Sequence, residues 1–132
     1  MDENDISRII VDSAIEVHRT LGGPGLLESI YEHALDWELR EKGLNVERQR
    51  EIQLLYKGIP LPVPLRLDLV VEDLVIVECK ATLDNHPVFK SQLLTYLRAT
   101  GKKLGILVNF GFPVVHRGIA RVVNGLEESG KP

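Results

Sequence analysis

Residues 65–80 read Leu65-Arg66-Leu67-Asp68-Leu69-Val70-Val71-Glu72-Asp73-Leu74-Val75-Ile76-Val77-Glu78-Cys79-Lys80, and the way this stretch folds back on itself governs everything around it. Two runs rich in Leu, Val and Ile flank an acidic bend, which predicts two antiparallel strands near 65–72 and 74–81. Side chains alternate along a strand, so Glu78 and Lys80 point one way and Cys79 the other. The side taken by Asp68 depends on register. A two-residue turn at Glu72-Asp73 pairs Asp68 with Val77 and sends it to the face opposite Glu78. A three-residue bend, or a bulge, pairs Asp68 with Glu78 instead. The second register puts Leu65, Leu67, Leu69, Val71, Val75, Val77 and Cys79 on one continuous core face, whereas the first divides that face between the strands. A one-residue slip moves a whole apolar set into water, so the register that builds a core also gathers Asp68, Glu78 and Lys80.

Two carboxylates and an amine converging on one sheet face are costly without a purpose. Asp68 and Glu78 repel each other unless a cation sits between them. Hard oxygen ligands with open positions suit Mg²⁺ or Mn²⁺. Lys80 beside such an ion is placed to orient or deprotonate a water and to stabilise charge developing on a phosphorus centre. The plainer reading is a surface ion pair between Lys80 and either acid.

Upstream, residues 5–21 carry Ile6, Ile9, Ile10, Ala14, Val17 and Leu21 at helical spacing. Gly22-Gly23-Pro24-Gly25 breaks the chain, and a second helix is expected over 26–42, with Gly43 as its stop. The glycine run lacks a preceding strand and a following Gly-Lys-Ser/Thr, so it reads as an interhelical turn and not as a phosphate cradle. Residues 46–56 read as a strand, Lys57-Gly58 as a turn, and Pro60, Pro62 and Pro64 as an extended segment at a sheet edge or in a loop. Downstream, a third helix is expected over 87–100, a buried strand over 104–109 and a last strand over 114–124 with a turn at Gly118. The final eight residues are polar and expected to fray. The order is α-α-β-β-β-α-β-β, one α/β domain over residues 1–132 with a mixed sheet and a polar tail from about 125.

Composition sets outer bounds. At 132 residues the chain can bury about two-thirds of its unfolded surface. Cys79, the lone cysteine, excludes an internal disulfide. No run approaches the roughly 18 apolar residues of a membrane helix, so no membrane partner and a cytoplasmic location are expected. The net charge of −3 argues mildly against coating nucleic acid through a general positive field, while leaving room for an acidic metal site. Arg48, Arg50, Lys57 and Arg66 crowd one region and Lys90, Arg98, Lys102 and Lys103 another; two solvated faces are the bland account of both. His18, His33, His86 and His116 show no ligand spacing and read as surface or helix-end residues, His86 being the nearest to the acids. Trp37 reads as core or interface. Cys79, on an apolar face with no histidine beside it, reads as a small hydrophobe.

Gln92 and Tyr96 stand four apart on the third helix, and Glu28 and Tyr31 three apart on the second. With these in place, the chain resembles the GxxExxY proteins, a group in the PD-(D/E)xK nuclease superfamily. The resemblance rests on Gly25-Leu26-Leu27-Glu28-Ser29-Ile30-Tyr31, Arg66-Leu67-Asp68, Val77-Glu78-Cys79-Lys80-Ala81, Gln92-Leu93-Leu94-Thr95-Tyr96-Leu97 and Val108-Asn109-Phe110-Gly111. These matches keep the family's order over roughly residues 9 to 124. Cys79 departs from the usual aliphatic residue, and prolines before the Asp strand are unusual.

The resemblance implies a restriction-endonuclease-like αβββαβ core with Asp68 and Glu78 as metal-binding acids for Mg²⁺ or Mn²⁺. It makes Lys80 the catalytic lysine, Glu28 an additional acid brought to the metal as well as a catalytic residue, and Gln92 and Tyr96 catalytic polar residues of the following helix. Tyr31, Arg66 and Lys90 are the candidate substrate contacts. The expected activity is a metal-dependent nuclease acting on DNA, with RNA as an alternative substrate. A non-catalytic binding module retaining the fold is the rival reading, and a homodimer would supply further binding surface.

Overall fold

A computed structural model describes residues 1–127 of the chain. Helix α1 spans Glu3–Thr20 and begins earlier than expected because the acidic start is a cap. Asp2 accepts from the Asp5 backbone N–H at 2.8 Å, and Asp5 accepts from that of Asp2 at 3.0 Å. Helix α2, Glu28–Glu41, has no side-chain cap at Leu27. Its start is held by Tyr31, whose hydroxyl donates to the Gly23 carbonyl at 2.7 Å and accepts from the Leu26 N–H at 3.2 Å.

The expected strand over 46–56 is shorter. Strand β1 is Val46–Ile52, and a separate two-stranded ribbon follows, β2 Leu55–Tyr56 with β3 Ile59–Pro60. Lys57 and Gly58 both take positive φ at the ribbon's tip, the backbone hand that lets a tight hairpin match strand twist. Pro60 therefore joins a strand at an edge position, where its missing N–H costs nothing. Strands β4, Leu65–Val71, and β5, Val75–Lys80, are followed by α3, Pro87–Thr100, and β6, Leu104–Asn109. The strand expected over 114–124 divides at Gly118: Val115–Gly118 forms a 3₁₀ turn and β7 is Ile119–Val123. Within the expected polar tail, Leu126 packs on the core; residues 128–132 lie outside the described part.

The main sheet has the order β1-β4-β5-β6-β7, with β5 and β6 parallel and the other pairs antiparallel. Helices α1 and α2 cover one face through Ile6, Ile10, Ala14, Val17, Leu35 and Leu39. Helix α3 covers the other through Leu93 and Leu97 against Val70, Ile76 and Leu107. It lies so close that a Cβ on Gly105 would meet Leu93 at 2.8 Å. From α2 onward the main elements run αβββαβ with β7 added at the sheet edge, a mixed α/β arrangement of restriction-endonuclease-like form.

Leu69 pairs with Val77, Val70 with Ile76 and Val71 with Val75. Three residues thus intervene at the bend, Glu72 and Asp73 take left-handed φ of 53° and 54°, and the register carries Asp68 to Glu78. One expectation fails. Leu65 and Leu67 do not share the face of Leu69 and Val71; they pack toward α3 with Val70 and Ile76. The strand changes face at Asp68, where the β5 ladder ends and the β1 ladder skips one pair. His18 also departs from the surface reading: it is buried, and its Nε2 donates to the Phe112 carbonyl at 2.9 Å. Trp37 is exposed and so is not core. Among the described residues, no helix is long and apolar enough to cross a membrane.

Candidate active site

Beyond Leu69 and Val77 the β4 and β5 strands part, and the acids occupy the opening. Asp68 turns its carboxylate across the gap, where Oδ2 accepts from the Cys79 backbone N–H at 2.9 Å. Glu78 reaches back, accepting from the Asp68 N–H at 3.2 Å. Side chains thus replace ladder bonds, and each acid satisfies a backbone donor of the opposite strand. Glu78 is 6 % exposed. Burial, then the charge of Asp68, pushes its carboxyl up to about 9. In the metal-free protein that shift keeps the Glu78 carboxyl neutral near pH 7, facing the second acid. The pair fits a divalent cation, which takes one or two carboxylates and leaves its other positions to water or phosphate.

Lys80 leaves the same strand face as Glu78, and its Nζ lies 4.9 Å from the centre of the Phe89 ring on α3. Its backbone carbonyl accepts from Phe110 at 2.8 Å, anchoring the end of β5 to β6. Tyr96, one turn after Gln92 on α3, has its hydroxyl pushed up by burial and then by the charges of Glu78 and Asp68, so it remains a donor. Gln92 is exposed on that helix. From the opposite side, Glu28 opens α2. Partial burial first, then Asp68, pushes its carboxyl up against the opposing pull of Lys80. Among the described residues no group of three His, Cys, Asp or Glu side chains is spaced to hold a metal ion. Glu28 therefore shares the neighbourhood of Asp68 and Glu78 without closing a three-acid set with them.

One of the expected substrate contacts requires correction. Tyr31 is fully buried, stacked on Phe110 with ring centres 4.6 Å apart; it sets the start of α2, and thereby Glu28, and cannot touch a substrate. Arg66 is held by Glu51 at 3.0 Å. Two neighbours in the crowded basic group are paired as well, Arg48 with Glu32 at 2.7 Å and Arg50 with Asp73 at 2.6 Å, while Lys57 lies over the Tyr56 ring. The other basic group differs. Residues 85–126 contain no Asp or Glu but hold Lys90, Arg98, Lys102, Lys103, Arg117 and Arg121. Among the described residues Lys102 reaches Asp73, while Lys90 and Arg98, both exposed on α3, enter no ion pair. His86 caps α3 by accepting from Val88, the helix-end role expected of it. Burial pushes the Cys79 thiol well up, in keeping with an inert core residue.

Sequence reasoning missed three supporting residues. Asn109 is fully buried; its Oδ1 accepts from the Thr82 and Gly111 N–H groups, and its Nδ2 donates to Thr82, Asp84 and Asn85. It thus moulds the loop between Lys80 and α3, and a Cβ on Gly111 would strike the Thr82 carbonyl at 2.1 Å. Glu32 and Gln49 lie behind Asp68. The signal for Glu32 was present, since it stands one helical turn after Glu28 on the same side; nothing in the local pattern marks Gln49. No curated protein and no solved structure matches the chain. Residues 4–122, however, match the family described as the PD-(D/E)XK nuclease superfamily, and on that match over most of its length the chain belongs to that superfamily.

Proposed function

We propose that this protein is a divalent-metal-dependent nuclease that hydrolyses phosphodiester bonds in DNA, and that it stands with the GxxExxY proteins inside its superfamily. The observation that carries the reading is the mutually opposed pair of half-buried Asp68 and buried Glu78, with Lys80 two residues on. Asp68 and Glu78 would hold Mg²⁺ or Mn²⁺. When bound, such an ion polarises a phosphoryl oxygen and lowers the pKa of a coordinated water. Lys80, steadied by the Phe89 ring, orients the attacking water and offsets negative charge on the phosphoryl oxygens. Glu28, at the mouth of the opening, is suited to take up a proton. Tyr96 donates from the α3 side, and Gln92, Lys90 and Arg98 meet the nucleic-acid backbone along that helix.

The test uses the full chain with Mg²⁺ or Mn²⁺ on single-stranded, duplex, flapped and branched DNA and on RNA, beside Lys80→Ala and Asp68→Ala. Each substitution should lower cleavage by about 10²-fold or more. Cleavage equal in variants and wild type would remove these residues from the mechanism. The rival reading, a binding module, draws on the incomplete three-acid set. It predicts DNA binding that ignores metal and Lys80, with no product in any lane.

A further inference from the structure

The β1–β4 ladder is interrupted once. Pairing runs Val46 with Val71, Glu47 with Val70 and Arg48 with Leu69, skips one pair, and resumes at Arg50 with Leu67. The skipped residues are Gln49 and Asp68. Gln49 adopts a left-handed φ of 53°, a conformation rare and strained for a residue with a Cβ in mid-strand.

The consequence is a change of direction. Neighbouring residues on a strand face opposite sides, so Arg48 and Gln49 should not reach the same group. Here they do. Arg48 Nη2 donates to Glu32 Oε2 at 2.7 Å, and Gln49 Nε2 lies 2.9 and 3.0 Å from the two Glu32 oxygens. Glu32 is 4 % exposed, and Arg48 matches its charge. The Gln49 amide has a second N–H, and Nε2 lies 3.4 Å from Asp68 Oδ1. One amide is thereby divided between two carboxylates, one fixed in the wall of the fold and one in the opening.

Asp68 has lost its ladder on both sides, which leaves its side-chain torsions without backbone support. Two donors replace that support: the Cys79 N–H on Oδ2 and the Gln49 amide on Oδ1. Each carboxylate oxygen keeps a further lone pair for another partner.

We propose that Gln49 is a positioning residue: anchored by Glu32 and Arg48, it turns one amide N–H onto Asp68 Oδ1 and sets the orientation in which that carboxylate meets a divalent cation. This rests on the reading of Asp68 as a metal-holding acid. The strained backbone of Gln49 is then the device that aims its side chain.

Gln49→Gly separates aim from architecture, because glycine accepts the left-handed backbone freely while removing the amide. The metal-free, full-length variant should melt within a few degrees of wild type or above it. Calorimetric titration with Mn²⁺ should nonetheless show affinity weakened on the order of tenfold, the usual scale for losing a partner behind a ligand. Where wild type cleaves DNA, kcat should fall with KM little changed. Gln49→Asn, which tolerates the same backbone but is too short to span both carboxylates, should show the same loss. Unchanged Mn²⁺ affinity in both variants overturns the proposal, as does a fall in melting temperature that accounts for the whole loss. Failure of the underlying reading looks different: wild type itself would take up no Mn²⁺, and the proposal would fall with it.

Discussion

The two ends of the β4–β5 pair are built from the same kinds of residue and behave differently. At the bend, Val71 faces Val75, Val70 faces Ile76, and both sheet faces are covered, by α1 and α2 on one side and α3 on the other. Three residues away the β4–β5 ladder has stopped, the strand has changed face, and acids have taken over the backbone hydrogen bonds. The first end is held by burial, which is cooperative and indifferent to pH. The second holds a carboxyl pushed up to about 9 and, across Asp68 from it, a strained Gln49. Such an arrangement persists only when neighbouring structure over-determines it. The apolar end anchors the polar one.

Truncation at the apolar end should have the largest effect. Leu69 is fully buried at the last regular pair, so Leu69→Ala should lower unfolding free energy by about 2–5 kcal/mol in urea titrations. A cost under about 1 kcal/mol would mean that this end is not the anchor.

Glu78 sharpens the contrast from the other side. Its folded value of about 9 lies above its ordinary 4.5. The stability gained by keeping it neutral is therefore fully present below about 4.5 and is lost as pH rises toward 9. In metal-free protein that loss should reach at most about 1.4 kcal/mol per pH unit within this window. Unfolding measured at pH 5, 7 and 9 should show the slope, Glu78→Gln should flatten it, and saturating Mn²⁺ should oppose it. A wild-type slope no steeper than that of Glu78→Gln would show that burial of this carboxyl is not felt.

The difference between the ends also explains what could be read in advance. Register was legible because Leu69, Val71, Val75 and Val77 allow one pairing that buries them together, and α3 because His86-Pro87 and Gly101 punctuate it. The change of face at Asp68 was not legible, since strict alternation assigns Leu67 and Leu69 to one face and no local residue announces the break. It coincides with the left-handed backbone of Gln49, the residue skipped opposite Asp68 and bonded to Glu32 on α2. The Arg–acid pairs of the first basic group were hidden for a related reason. Arg50 meets Asp73 and Arg66 meets Glu51 only once strand order is known.

That hidden pairing yields the smallest expected effects, on residues flanking the open end. Arg66 and Glu51 are both more than half exposed, so Arg66→Ala should change stability by less than about 1 kcal/mol. It should leave the salt dependence of DNA binding almost unaltered, because the guanidinium is already committed to a carboxylate. Lys90, exposed on α3 and free of ion pairs among the described residues, is open to a phosphate. Lys90→Ala should weaken binding across sequences alike and reduce the slope of log affinity against log salt by about 1. Fluorescence polarisation of labelled DNA over a salt series compares the two directly. Equal slopes for both variants would mean that the acid-free stretch over residues 85–126 does not face nucleic acid, whatever the opening between β4 and β5 does.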